Sequence, residues 1–263
     1  MELFSLQNKL ALITGASGHL GFDMAFALAE AGAHVLVNGR SEESVNKIVT
    51  KIKKAGLSVE SAVFDVTNQD QLNSFFKNRL KDEALHIIVN NAHNGTLGGI
   101  ENTGVENYRA SYEIAVVAPN SIFKLALPNL RRGVELTGDA SIVNISSMYG
   151  IVSPDLRIYK SLKDANPPFY GAAKAALIQW SKYAACQFGH EGIRVNCISP
   201  GPFPKSSTQK KSPEFIAKLN EKVPINRVGK PSELRGPVLF LASQASSFVT
   251  GINLLVDGGW SSW

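Results

Sequence analysis

Short apolar stretches alternate with amphipathic segments from one end of this chain to the other, and that alternation restricts the possible folds more than any other feature. Lys9 to Thr14, His34 to Val37, Val59 to Phe64, His86 to Asn90, Ser141 to Ile145, Arg194 to Ile198 and Ile252 to Val256 read as seven strands. Between the first two, Leu20 to Ala31 puts Leu20, Met24, Ala27, Leu28 and Ala31 on one helical face, and Gly32 ends it. Ser41 is placed to cap the next helix, with Glu42 and Glu43 in the first turn, where the helix dipole favours acids. Longer helices are predicted at about 105–131, 169–189 and 231–242. Such alternation implies a parallel sheet covered on both faces. The expected fold class is therefore α/β: a doubly wound, mainly parallel seven-stranded sheet.

There is no internal repeat, low-complexity tract or linker, so residues 1–263 read as a single domain. Two segments stand out within it. Residues 151–169 are rich in proline and charge and read as an insertion. Residues 202–227, with many Lys, Pro and Ser, read as a lid over a substrate.

Composition excludes several functions. No apolar run approaches the roughly 20 residues of a spanning helix, and the first residues lack a secretory pattern. A cytoplasmic protein without membrane contact is expected. Cys186 and Cys197 form neither a disulfide framework nor zinc-type spacing, and no metal is expected. The net charge is +5, yet the basic residues occur only as scattered doublets such as Lys53-Lys54 and Arg131-Arg132. That is no nucleic-acid stripe, and an anionic small molecule explains the excess equally well.

The most informative loop is Thr14-Gly15-Ala16-Ser17-Gly18-His19-Leu20-Gly21, between the first strand and first helix. Glycines there permit a tight turn and let backbone N–H groups approach a pyrophosphate, while the helix N-terminus adds partial positive charge. This is a Rossmann-type placement. The second strand should end at the adenosine ribose, and it runs into Asn38-Gly39-Arg40 with no carboxylate at its tip. Arg40 either pairs a 2′-phosphate, which favours NADP(H), or faces solvent.

Tyr170 and Lys174 stand four residues apart at a helix start and so share a face. A nearby cation favours tyrosinate and eases movement of the phenolic proton. By spacing alone, an exposed helical pair is the favoured reading.

Taken in order, these motifs resemble the short-chain dehydrogenase/reductase family over nearly the whole chain. The matching residues are the Thr14–Gly21 loop, Asp65-Val66, Asn90-Asn91-Ala92, Ser146-Ser147, Tyr170 with Lys174, Arg194-Val195-Asn196, Pro200-Gly201 and Val256-Asp257-Gly258-Gly259. The resemblance implies that Tyr170 is the general acid or base, and that Lys174 holds the nicotinamide ribose and depresses the tyrosine pKa. Ser147 would hydrogen-bond the substrate oxygen. Gly15, Ser17, Gly18, His19, Leu20, Gly21, Arg40, Asp65, Val66, Asn91 and Ala92 would contact the cofactor. Pro200, Gly201 and Phe203 would meet its carboxamide. It also implies a homotetramer with the last strand and two long helices buried between subunits.

Four positions depart from the family pattern. His19 takes the loop's middle glycine position and either touches the phosphates or is a surface substitution. His93 replaces the glycine of Asn-Asn-Ala-Gly and either borders the site or is an ordinary loop histidine. Ala115 stands where the family often carries a relay asparagine. The Ser147–Tyr170 gap is longer than usual, and its extra residues include Asp155, Arg157, Lys160, Lys163 and Asp164. Similar long gaps occur in sugar-pathway reductases, and Asn38-Gly39-Arg40 resembles gluconate-type reductases. The expected substrate is a polyol, sugar or sugar acid. A 3-oxoacyl-thioester reductase is the alternative, with Lys205, Lys210 and Lys211 meeting the carrier. A non-enzymatic regulatory or scaffolding protein is a third reading. Enoyl reduction is set aside, because that group uses a wider tyrosine–lysine spacing.

Overall fold

The computed structural model describes residues 2–263. Seven strands form one sheet: β1 Leu10–Ile13, β2 His34–Gly39, β3 Val59–Val63, β4 Ile87–Asn90, β5 Ala140–Ile145, β6 Ile193–Pro200 and β7 Asn253–Val256. Their order is β3-β2-β1-β4-β5-β6-β7, and every neighbouring pair is parallel. β1, β4, β5 and β6 are buried along their whole length, which is why they read as unbroken apolar runs. Between β1 and β4 the chain reverses its direction of travel across the sheet. The carboxyl ends of the strands part there and leave a crevice.

Helices cover both faces: α1 Gly21–Glu30, α2 Glu42–Lys54, α3 Gln69–Ser74, α4 Val105–Tyr112, α5 Ala118–Thr137, α6 Pro168–Phe188, α7 Ser206–Lys211, α8 Pro213–Lys222 and α9 Arg235–Ala242. One core layer joins Met24, Leu28 and Leu241 to Ile13 and Val35. The other joins Leu85, Ile122 and Phe123 to Leu12, Ile88 and Ile142. Ser41 caps α2 as expected, accepting from the Ser44 N–H at 3.3 Å. Among the described residues no helix is long and apolar enough to cross a membrane.

Three segments differ from the sequence expectation. The helix expected over about 105–131 is α4 and α5 joined by a wider π turn at Glu113–Val117. Pro119 follows that turn and has no N–H to give the Ala115 carbonyl, so a regular ladder cannot run through it. The helix at α3, continued by a π turn over Phe75–Leu80, was not expected. Its signal was present: Asn68 caps it, and Leu72, Phe76 and Leu80 recur at helical spacing and are buried. Residues 202–227 are partly helical, as α7 and α8.

Candidate active site

The loop between β1 and α1 is held from below by short side chains. Asn91 Nδ2 donates to the Thr14 and Gly15 carbonyls at 3.1 and 3.0 Å. Thr14 Oγ1 in turn accepts from the Asn91 and Ala92 N–H groups. Gly15 has φ +61°, and a Cβ there would lie 2.7 Å from the Ala92 Cα. Only glycine fits that close crossing. No side chain caps the first turn of α1 at Leu20, so its N–H groups are left for another acceptor.

A cleft of about 700 Å³ opens above this loop. Gly15, Ser17, Gly18, His19, Leu20, Arg40, Asp65, Val66, Asn91 and Ala92 all line it. The fit to a dinucleotide is good: an elongated crevice, an uncapped helix start and a glycine turn without side-chain bulk. At its far edge Asn38 is buried and stitches β2 to the end of β3, donating to the Ala62 and Phe64 carbonyls at 2.9 and 3.0 Å. Arg40 is exposed, with Nη1 4.0 Å from the Asp65 carboxylate. His19 turns under the 203–205 stretch, and burial lowers its pKa. Sequence reasoning did not anticipate Asn94, Thr96, Asn107 and Glu113 on the cleft wall. They sit on a loop and a helix with no motif to mark them.

Gly21, Pro200, Gly201 and Phe203 fall outside that wall. Gly21 packs on the Gly15 carbonyl, and Gly201 packs on Asp257. Phe203 lies against Gly229. Arg194 and Asn196 serve the scaffold: Arg194 reaches the buried Asp139 carboxylate at 3.0 Å, and Asn196 donates to the Val249 carbonyl.

Ser147, Tyr170 and Lys174 come together at the carboxyl end of β5. Lys174 is buried and donates to the Ile145 carbonyl at 2.7 Å, while Ser146 Oγ donates to the Lys174 carbonyl at 2.9 Å. Gly171 allows this closeness, because a Cβ there would lie 2.6 Å from the Tyr149 carbonyl. Burial lowers the Lys174 pKa to about 8. Burial raises that of Tyr170, and the nearby Ser147 hydroxyl partly offsets it. The Lys174 Nζ stands 5.8 Å from the Tyr170 ring centre. The His93 ring, on the cleft wall, lies 4.8 Å from the Tyr170 ring and so links the trio to the cleft.

Beneath the trio runs a buried polar chain. Asn90 Nδ2 donates to Asn144 Oδ1, and Asn144 Nδ2 donates to Ser181 Oγ, both at 2.7 Å. The Cys197 thiol, pushed up to about 11 by burial, donates to the same serine. Ala115 faces a cavity of about 10 Å³ that Asn90 and Lys174 also line. Asn90 Oδ1 is buried without a partner.

The 151–169 insertion packs beside the trio. Its Tyr159 hydroxyl meets the Tyr149 hydroxyl at 3.1 Å, and its ring lies 5.6 Å from Phe215 of α8. Asp155 pairs with Arg157 at 2.9 Å and also with Lys222 of α8. Arg157 is therefore engaged within the insertion. Among the described residues no group of His, Cys, Asp or Glu could hold a metal ion.

Sheet order, crevice and glycine turn define a doubly wound α/β protein of the Rossmann type. A family model described as enoyl-(acyl carrier protein) reductase matches residues 15–261. Gluconate 5-dehydrogenase from Gluconobacter oxydans is 32% identical, over 98% of this chain and 96% of that protein. The 3-oxoacyl-[acyl-carrier-protein] reductase FabG of Chlamydia trachomatis is 34% identical, over 97% and 98%. The structure of a gluconate 5-dehydrogenase from Burkholderia cenocepacia, in complex with NADP and tartrate, superposes with a TM-score of 0.88 at 27% identity, over 100% and 98%. The chain belongs to the short-chain dehydrogenase/reductase family of oxidoreductases.

Proposed function

We propose that this protein is an NADP(H)-dependent oxidoreductase that transfers a hydride between the nicotinamide and a carbonyl or secondary alcohol of a polyol, sugar or sugar acid. The observation that carries the reading is the gathering of Ser147, Tyr170 and Lys174 at one strand end, joined to the dinucleotide-sized cleft by His93. When bound, the nicotinamide supplies or accepts the hydride. Tyr170 supplies the proton to the developing alkoxide in reduction and removes it in oxidation. Ser147 steadies the substrate oxygen. Lys174 holds the ribose. The residues at the loop, Arg40, Asp65, Val66, Asn91 and Ala92 bind the remainder of the cofactor, with Pro200, Gly201 and Phe203 behind the carboxamide.

NADP(H) is favoured because Arg40 is exposed at the end of β2, held only by a long 4.0 Å pairing with Asp65, and no acid stands in the strand tip itself. In place of a relay asparagine at Ala115, a single water is suited to the 10 Å³ cavity, whose polar lining residues are Thr14, Asn90 and Lys174 and beside which Asn90 Oδ1 is unpartnered. Residues 202–227 act as a lid and 151–169 as an added wall of the substrate mouth. Exposed Ile252 and Leu255 at β7, with Leu136 and Tyr183 on the long helices, support the homotetramer, and the proposed location is the cytoplasm. A monomeric mass at micromolar concentration overturns that assembly.

The test is steady-state kinetics with NADPH and NADH on polyol-derived ketones and on 3-oxoacyl thioesters. Better use of NADH overturns the cofactor assignment. Preference for the thioester favours the second reading, which the similarity to FabG and Lys205 on the cleft wall support.

A further inference from the structure

His93 is unexplained by the roles above. Its ring faces the Tyr170 ring at 4.8 Å with a 59° tilt, so it borders the space beside the phenol. Gly95 crowds it from behind: a Cβ at that position would lie 2.7 Å from Nε2. The residue is exposed, with its ring packed against that of Tyr170. It titrates to about 4, lowered first by burial and then by the Lys174 charge, with no hydrogen bond contributing. A neutral imidazole offers one donor and one acceptor.

The surroundings narrow what can use them. Asn94 and Thr96, on the same stretch of wall, are neutral and polar. Lys174 donates inward to the Ile145 carbonyl. Arg157 and Lys222 both engage Asp155. Lys205 lies near His19, towards the phosphate end. A carboxylate beside Tyr170 would lose solvation against the neutral His93 ring, and the Lys174 Nζ, 5.8 Å from the phenol ring, is turned to the Ile145 carbonyl. A hydroxyl can donate to one kind of imidazole nitrogen or accept from the other.

We propose that His93 is a specificity residue whose imidazole hydrogen-bonds a hydroxyl on the carbon next to the reacting one, which makes α-hydroxy ketones and the corresponding vicinal diols the class this site takes. This rests on the oxidoreductase reading and adds the substrate class to it. The His93 ring reads the neighbour of the reacting carbon, while Ser147 and Tyr170 handle the reacting oxygen.

The probes are 2-hydroxycyclohexanone and cyclohexanone, each reduced with NADPH or NADH and followed by absorbance. The readout is the ratio of their kcat/KM values, which does not depend on the fraction of folded enzyme. Wild type should favour the hydroxylated ketone by about tenfold or more, the worth of one hydrogen bond in a desolvated site. His93→Phe keeps the aromatic packing on Tyr170 and should bring the ratio close to one. His93→Asn retains a donor and an acceptor and should keep most of the preference. An unchanged ratio in His93→Phe, or no preference in wild type, overturns the assignment of His93 alone. Absence of turnover with every ketone and both cofactors overturns the oxidoreductase reading and this inference together.

Discussion

The two ends of the cleft are built differently. At the phosphate end the Thr14–Gly21 loop is fixed by buried, short side chains and by backbone contact, with Gly15 against Ala92 and Asn91 bonded to two loop carbonyls. At the proposed substrate end, where only Phe169 reaches the cleft itself, the proposed wall and lid are the 151–169 insertion and α8. They meet through an aromatic contact, a pair of phenols and a carboxylate shared by Arg157 and Lys222. The first arrangement leaves almost no substitution without a steric conflict. The second tolerates change, because partly exposed ion pairs and edge contacts contribute little each. A constant cofactor calls for the first, and a variable substrate allows the second.

The boundary between the two ends is where the largest effect is expected. Tyr170→Phe should lower turnover by about 10²–10⁴-fold while leaving cofactor affinity intact, as measured by NADPH oxidation and by fluorescence titration. Unaltered turnover would remove the proposed proton donor. At the rigid end, Gly15→Ala combines a positive φ with the Ala92 contact and should cost about 1–3 kcal/mol of stability, read as a lowered Tm, together with weaker cofactor binding. If Tm and affinity both stay the same, the loop is looser than its geometry states. Arg40→Ala should reduce the preference for NADPH over NADH by about 10–100-fold, the worth of one charge-assisted contact. An unchanged ratio would mean that Arg40 only faces solvent.

A smaller effect tests the buried lysine between the two ends. Lys174 releases its proton at about 8 in the folded protein, against an ordinary value of 10.5. Above pH 8 the unfolded chain still binds the proton that the folded chain has lost, so this group's contribution to stability rises with pH. From pH 8 to 9 the free protein should gain about 1 kcal/mol relative to Lys174→Met. The window ends near 9, where the raised Cys197 begins to act in the opposite sense. Parallel stability profiles for the two proteins would show that Lys174 titrates normally. The smallest change belongs to the substrate end: Asp155→Asn should lower Tm only slightly but raise KM for the ketone more than KM for the cofactor. A larger cofactor effect would contradict the division between the two ends.

The same division governs what the sequence reveals. The glycines of the Thr14–Gly21 loop perform a local task at fixed spacing, so the loop and its place between β1 and α1 can be read directly, whereas its bonds to Asn91 cross some 77 residues. The strands and their parallel sheet, too, follow from the apolar runs, while the order in which they pair does not. The Tyr170–Lys174 pair is legible as a shared helical face, but the Tyr170 pKa is not. It depends on burial and on Ser147, a contact across 23 residues of chain that spacing cannot measure. The π turn at Glu113–Val117 follows from Pro119, yet amphipathic periodicity passes over it. His93 sits on a loop whose sequence has no period, and its approach to Tyr170 is purely a matter of folding.

The bond from Asp155 to Lys222 ties two segments that are far apart in sequence. Asp155 belongs to the proposed wall, and Lys222 closes α8 within the proposed lid. In the proposed reading the wall and the lid thus share one contact, so a change at Asp155 reaches the lid as well as the wall.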